Sequence, residues 1–137
     1  MSRPGWDEIW MKFAVEISNR SLDTKYKVGA VVVNDENTQV LSIGYNGDQK
    51  GGPNARESLA VGESGFVHAE INALIKCDYN YPKQKKMYLT LSPCNVCAKA
   101  IVNAGITDVI YLERYEQSNG IDILIDADVK VRQFQSP

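Results

Sequence analysis

The chain has 137 residues, of which 44% are hydrophobic and 23% are charged, and its net charge is −2. This balance is ordinary for a globular protein and argues against the basic surface of proteins that grip long nucleic acids. No apolar stretch approaches the roughly 20 residues of a membrane span, and the N-terminus lacks the apolar segment of a signal peptide. We therefore expect one domain over residues 1–137, with no nucleic-acid or membrane partner.

The first half of the chain predicts a helix, a hairpin and a long loop. Apolar residues recur at helical spacing over residues 7–19. Residues 26–34 and 39–45 are expected to form an antiparallel hairpin, because a turn-forming segment separates two apolar stretches. Residues 46–65 form a glycine-rich loop, and a loop of this length in a compact domain is often functional.

Helices and strands alternate in the second half of the chain. The predicted helices cover residues 67–77, 94–104 and 119–127, and the predicted strands cover residues 87–91, 109–112 and 129–131. This alternation predicts a sheet with helices on its faces, in which strands joined through a helix run parallel. The basic segment 83–86 is interpreted as a solvated turn, because it is too short for a nucleic-acid patch and contains no aromatic residue.

One set of residues has the composition of a metal site. His68 is the only histidine, Glu70 follows it two positions later, and Pro93 precedes a Cys94-x-x-Cys97 pair. Zinc takes imidazole and thiolate ligands, and a catalytic site keeps its fourth position for water. We therefore predict that His68, Cys94 and Cys97 bind zinc. The joint pattern of His-x-Glu and Pro-Cys-x-x-Cys is the signature of zinc deaminases.

The positions of these residues support the zinc prediction, although alternatives remain. The ligands lie at predicted helix starts, where the helix N-terminus stabilises thiolates. The site could instead be a Cys2His zinc site closed by an unidentified ligand, or its residues could never meet. Cys77 is interpreted as a small buried apolar residue, because it lies more than two helical turns after His68. Three cysteines without a secretion signal fit a reducing, cytoplasmic setting.

Glu70 is predicted to be the catalytic carboxylate rather than a ligand. Zinc lowers the pKa of a bound water toward neutrality, so that water can attack a carbon bearing an amino group. Glu70 would carry the released proton to the ring nitrogen and then to the leaving ammonia. The motif therefore predicts hydrolytic deamination.

Four stretches of the chain resemble the deoxycytidylate (dCMP) deaminases of the cytidine deaminase-like superfamily. They are Lys-Val-Gly-Ala-Val-Val-Val at 27–33, Gly-Tyr-Asn-Gly at 44–47, His-Ala-Glu-Ile-Asn-Ala-Leu at 68–74, and the stretch around Pro-Cys-Asn-Val-Cys at 90–101. His-Ala-Glu and Pro-Cys-x-x-Cys are typical of the superfamily. Gly-Tyr-Asn-Gly and the Cys-Ala-Lys-x-Ile ending are similar to dCMP deaminases in particular.

The resemblance implies a fold and a function. The fold is a three-layer α/β/α domain whose mixed five-stranded sheet carries helices on both faces. The reaction is conversion of dCMP to dUMP and ammonia, which supplies dUMP for thymidylate synthesis. Members of the family are often homohexamers that dCTP activates and that dTTP inhibits together with Mg²⁺. Residues 46–67 lack the histidine and cysteine of a second, structural zinc site found in some relatives, so we expect one zinc ion per chain.

The resemblance also suggests ligand-binding residues. The segment that matches the family's allosteric nucleotide segment consists of Gly44, Tyr45, Asn46 and Gly47. The predicted substrate contacts are Asn46, Ala69, Ser92, Lys25 and Arg114. Lys25 and Arg114 are proposed on charge alone, and each could equally be a solvated surface cation. The family often has Tyr-Arg near the end of the fourth strand, where this chain has Arg114-Tyr115.

Two rival functions remain at this point. The first is another deaminase of the superfamily, acting on tRNA adenosine or on free cytidine or deoxycytidine. Balanced charge and the Gly-Tyr-Asn-Gly segment disfavour it. The second is a non-catalytic nucleotide-binding subunit that keeps zinc for structure, which the intact Glu70 disfavours.

Overall fold

The computed structural model describes residues 2–60 and 62–136. The strands are β1 (Gly29–Asn34), β2 (Val40–Tyr45), β3 (Lys85–Leu91), β4 (Ile106–Glu113) and β5 (Lys130–Gln133). The helices are α1 (Trp6–Ser18), α2 (Ala69–Ile75), α3 (Asn95–Asn103) and α4 (Gly120–Asp126). Among the described residues, no helix combines the length and apolar character needed to cross a membrane.

The five strands form one mixed sheet in the order β2-β1-β3-β4-β5. β1 is antiparallel to β2 and to β3, whereas β3, β4 and β5 are parallel to one another. The predicted hairpin and the parallel pair joined through α3 are therefore confirmed. Because of this pairing, the carboxyl ends of β2, β3 and β4 share one edge of the sheet with the amino end of β1.

Both faces of the sheet are covered by helices. Ala30 and Val32 of β1 pack in the cluster that includes residues of α2, α3 and α4. Val31 and Val33 point to the opposite face and pack with α1. A strand buried on both faces needs a continuous apolar run, which explains the valines of β1. The three-layer α/β/α architecture is confirmed.

Several predicted boundaries differ from the structure. β1 begins at Gly29 rather than at residue 26. α2 begins at Ala69 rather than at residue 67, because Val67 forms an isolated antiparallel bridge with Gly47. α2 also ends at Ile75, before the predicted residue 77. β4 is longer than predicted at both ends.

The predicted solvated turn at residues 83–86 is wrong in its second half. Lys85 and Lys86 belong to β3 and are buried. The Lys85 ammonium donates hydrogen bonds to the backbone carbonyls of Asp78 and Ala104, and that of Lys86 donates to the side chain of Asn37. A long lysine side chain can bury its stem while its charged end reaches polar groups, so charge alone did not identify a surface turn.

Gly44 allows α2 to lie directly against β2. A Cβ atom at Gly44 would lie 2.4 Å from the Ala69 carbonyl oxygen and 2.5 Å from the Ala73 nitrogen. Both atoms belong to the helix backbone and cannot move independently. One glycine of the Gly-Tyr-Asn-Gly segment is therefore required by packing alone.

We predict that Gly44→Ala lowers the free energy of unfolding by about 1–3 kcal/mol, because α2 must shift away from the sheet to admit the methyl group. Urea unfolding measures the change. Gly5→Ala is the control, since its added Cβ would meet no atom within 4 Å, and it should cost less than about 1 kcal/mol. Equal unfolding midpoints for the two variants would contradict this packing argument.

Candidate active site

Two helix starts bring the predicted zinc ligands together. His68 is the N-cap residue of α2, and Cys94 is the N-cap residue of α3. Cys97 lies in the first turn of α3, and its backbone N–H donates to the Cys94 sulfur at 3.5 Å. The Nδ1 atom of His68 is 3.1 Å from the Cys97 sulfur and 3.5 Å from the Cys94 sulfur. The structure therefore brings these three predicted ligands together.

The donor set of this ligand group fits zinc. One ligand atom from each of His68, Cys94 and Cys97 lies within 4.8 Å of the other two. Among the described residues, this is the one group of three or more potential metal ligands found, and Glu70 is outside it. One imidazole and two thiolates are ligands that zinc prefers, and three protein ligands leave a coordination position open.

The Cys94 thiol is prepared for metal binding by its neighbours. Its hydrogen bond from the Cys97 thiol, aided by hydrogen bonds from the His68 ring and the Cys97 backbone, lowers the pKa of Cys94 to about 4. The same contact with Cys94, together with burial, raises the pKa of Cys97. Zinc requires deprotonated ligands, so binding of the ion would release the Cys97 proton.

Glu70 is a buried carboxyl group beside the ligand group. Only 4% of the residue is exposed, and it nevertheless borders the cavity described below. Burial raises the pKa of Glu70 to about 7, against the opposing effects of its own backbone N–H and of His68. A carboxyl group with a pKa near neutrality can both accept and donate a proton, which is the property that a general acid–base requires.

A cavity of about 750 Å³ opens over the ligand group. It lies at the sheet edge shared by the carboxyl ends of β2, β3 and β4, where loops from different strands converge. Its walls are partly aromatic, and the aromatic side chains that border it are Tyr26, Phe66 and Tyr115. This volume is within the range of small-molecule sites, which combine apolar walls with a few polar groups.

Most of the predicted substrate residues border this cavity. Asn46, Ala69, Ser92 and Arg114 are among its walls. Ser92 is oriented by its hydroxyl oxygen, which accepts a hydrogen bond from the Tyr115 backbone at 2.7 Å. Lys25 is not among the residues that border the cavity, and its ammonium donates to the Leu59 carbonyl at 2.9 Å. The structure therefore does not bring Lys25 to the other predicted contacts.

The residues of the predicted allosteric segment, 44–47, have different surroundings: some pack against neighbouring elements, and one borders the cavity. Gly44 and Tyr45 end β2, and Gly44 contacts α2. Gly47 pairs with Val67 in the bridge that precedes α2. Asn46 is the member of the segment that borders the cavity. An effector role for the segment stays a prediction.

No sequence pattern identified five of the residues that border the cavity, namely Asp23, Tyr26, Arg56, Phe66 and Tyr115. These residues belong to three separate stretches, and no fixed spacing links them. The glycine-rich composition of residues 46–65 indicated a functional loop but did not single out Arg56. For Asp23 and Arg56 the missing information is a tertiary contact, because the two residues are 33 positions apart.

Comparisons with known proteins agree with this geometry. Residues 4–113 match the family described as the cytidine and deoxycytidylate deaminase zinc-binding region. The deoxycytidylate deaminase of Pongo abelii is 37% identical, and the match covers 94% of this chain and 79% of that protein. The deoxycytidylate deaminase of Mycobacterium phage D29 is 36% identical, and the match covers 81% of this chain and 97% of that protein.

A solved structure extends the similarity to three dimensions. The crystal structure of dCMP deaminase from the cyanophage S-TIM5, in complex with dCMP and dUMP, has a TM-score of 0.82 to this chain. The two chains are 32% identical, and the match covers 98% of this chain and 100% of the phage chain. The chain therefore belongs to the cytidine and deoxycytidylate deaminase family.

Proposed function

We propose that this protein is a zinc-dependent deaminase that converts dCMP and water to dUMP and ammonia. The observation that carries the proposal is the juxtaposition of the His68, Cys94 and Cys97 ligand group with the buried carboxyl group of Glu70 at the wall of one cavity. Relatives named deoxycytidylate deaminases and the phage complex with dCMP and dUMP support the choice of substrate. We assign this activity to one domain over residues 1–137.

The proposed reaction gives each residue a defined task. His68, Cys94 and Cys97 would hold the zinc ion. A zinc ion held there would make water a nucleophile near neutral pH. Glu70 accepts a proton from the attacking water, delivers it to the pyrimidine ring nitrogen, and assists proton transfer to the departing amino group. One water proton ends on the ring nitrogen and the other on the departing amino group. The water oxygen becomes the ring carbonyl as the carbon–nitrogen bond breaks and ammonia leaves.

The cavity walls suggest how a nucleotide would be held. Asn46, Ala69 and Ser92 border the cavity and are proposed to contact the substrate. Arg114 also borders it, and the 3.8 Å separation of its Nε atom from the Glu116 carboxylate leaves the guanidinium only loosely paired. We therefore favour Arg114 over Lys25 as a contact for the substrate phosphate.

Assembly and regulation are proposed from the resemblance alone. The protein would be a cytoplasmic homohexamer that contributes dUMP to thymidylate synthesis. In this proposal dCTP activates the enzyme, and dTTP inhibits it together with Mg²⁺. The effector nucleotides would bind near Gly44, Tyr45, Asn46 and Gly47.

We predict that the protein releases ammonia from dCMP faster than from CMP, deoxycytidine or a tRNA anticodon stem. Ammonia release is measured for each compound at the same concentration. Release from a nucleoside or from the tRNA stem alone would assign the protein to another branch of the superfamily. No release from dCMP would overturn the proposed substrate. Adding dCTP or dTTP with Mg²⁺ to the dCMP assay tests regulation separately.

We predict that Glu70→Gln lowers kcat by about 100-fold or more, because general acid–base catalysis contributes roughly 10²–10⁴-fold to rates. Zinc content should stay at the wild-type value, since the carboxylate is not one of the ligands. Glu16→Gln is the control, because it removes the same charge from an exposed residue of α1. Turnover of Glu70→Gln at the wild-type rate would remove Glu70 from its proposed role.

A further inference from the structure

A buried ion pair borders the same cavity but has no part in the reaction proposed above. The Nη1 atom of Arg56 donates to both carboxylate oxygens of Asp23, at 2.8 and 2.7 Å. The side chains of Arg56 and Asp23 are only 6% and 2% exposed, although both residues border the cavity. Removing two charges from water is costly unless further hydrogen bonds satisfy them.

Asp23 has such additional partners. Its carboxylate also accepts from the Lys25 backbone N–H at 2.8 Å and from the Asn46 side-chain amide at 3.2 Å. Burial acts to raise the pKa of Asp23, but hydrogen bonds from the Lys25 backbone and from Arg56 outweigh it and hold the pKa below its ordinary value. The carboxylate is therefore ionised and fully bonded at neutral pH.

Through Asp23, the ion pair fixes the orientation of the Asn46 amide. The Asn46 Nδ2 atom donates one hydrogen to Asp23 and the other to the Tyr26 carbonyl at 2.8 Å. Its Oδ1 atom accepts from the Val28 backbone N–H at 2.9 Å. A side-chain amide has two donor hydrogens and two acceptor lone pairs. Both donors are used, so Asn46 can offer a ligand only the second lone pair of Oδ1.

Arg56 also holds the loop that forms one wall of the cavity. Its Nε atom donates to the Ser58 carbonyl at 3.0 Å, while Nη1 reaches Asp23. The contact joins the glycine-rich loop to the segment before β1, which is 33 residues earlier in the chain. The Arg56 guanidinium therefore forms a hydrogen bond within its own loop and also binds Asp23, the residue that orients Asn46.

We propose that Asp23 and Arg56 are positioning residues, which present Asn46 to the substrate as a pure hydrogen-bond acceptor and hold the loop in place as a wall of the cavity. The inference rests on the proposed function, because it concerns how that site recognises its nucleotide. In dCMP the donor groups are the amino group, which reacts at the zinc site, and the 3′-hydroxyl. An acceptor fixed in the wall would therefore select a ligand that carries the 3′-hydroxyl.

Steady-state kinetics with dCMP test this inference on the zinc-loaded protein. The variants are Asp23→Asn, Arg56→Gln, the double variant, and Arg56→Lys, which keeps the charge without the planar guanidinium. We expect KM to rise about tenfold or more in both single variants, with kcat within about threefold of wild type and zinc content unchanged. The double variant should be no worse than the poorer single variant, because the two residues act as one unit.

A 3′-deoxy analogue of dCMP separates positioning from general support of the fold. Wild type should prefer dCMP over this analogue, and Asp23→Asn should lose most of that preference. Glu36→Gln is the matched control, because it breaks the exposed ion pair with Lys83. It should change neither KM nor the preference. An unchanged KM and preference in Asp23→Asn and Arg56→Gln, or effects that simply add in the double variant, would overturn the inference.

Hydrogen exchange supplies a readout that does not need turnover. Backbone amides of residues 46–60 should exchange faster in Arg56→Gln and Arg56→Lys than in wild type, and Glu36→Gln should not change them. If the wild-type protein does not deaminate dCMP, the proposed function fails. The exchange measurement still decides whether the Asp23–Arg56 pair holds the loop in place. Unchanged exchange in both Arg56 variants would show that the pair does not hold the loop. If Asp23→Asn fails to fold, Arg56→Lys provides the kinetic comparison.

Discussion

The candidate site depends on two helices that begin at one edge of a mixed sheet. α3 starts immediately beyond the carboxyl end of β3, which carries Cys94 to that edge. α2 lies against β2 with no side chain between them at Gly44, and its N-cap residue His68 lies at the same edge. At the start of α3, the backbone N–H of Cys97 also donates to the Cys94 sulfur, which favours the negative thiolate. A shift of either helix would therefore separate His68 from the two sulfurs.

Two buried carboxyl groups, those of Glu70 and Asp23, border the cavity, and their surroundings give them opposite properties. Glu70 is buried, and burial raises its pKa to about 7. Asp23 is also buried, but hydrogen bonds from Lys25 and Arg56 keep its pKa below the ordinary value. Environments that separate the pKa values of nearby carboxyl groups usually separate their roles. Glu70 is suited to exchange protons, whereas Asp23 is suited to remain charged and hold its neighbours.

The zinc ligands were predictable because they form a local pattern. His68 and Glu70 are two positions apart, and the two cysteines share one helical turn, so spacing identifies each half of the site. The meeting of the two halves, which are 26 positions apart, depends on the fold. The continuous valines of β1 likewise encode a strand buried on both faces. The resemblance to a known family added the sheet of five strands and the three layers, which no local pattern contains.

The remaining features depend on contacts between distant segments. Arg56 meets Asp23 only after the loop has folded back over the segment that precedes β1. Lys85 and Lys86 have the composition of a surface turn, and only the fold provides the carbonyls and the amide that accept their hydrogen bonds. The sequence places Gly44 in a predicted ligand-binding segment, and the structure shows that the close packing of α2 against β2 also requires a glycine there. Sequence periodicity contains no information on such pairings.

The proposed chemistry requires that His68, Cys94 and Cys97 bind one zinc ion and leave a position open for water. Zinc K-edge X-ray absorption of the purified protein measures the ligands directly. We predict two sulfur neighbours at about 2.3 Å and nitrogen or oxygen neighbours at about 2.0–2.1 Å, which is the pattern of one histidine, two cysteines and an oxygen or nitrogen atom as the fourth ligand. A shell of four sulfurs, or protein without bound zinc after expression in zinc-supplemented medium, would contradict it.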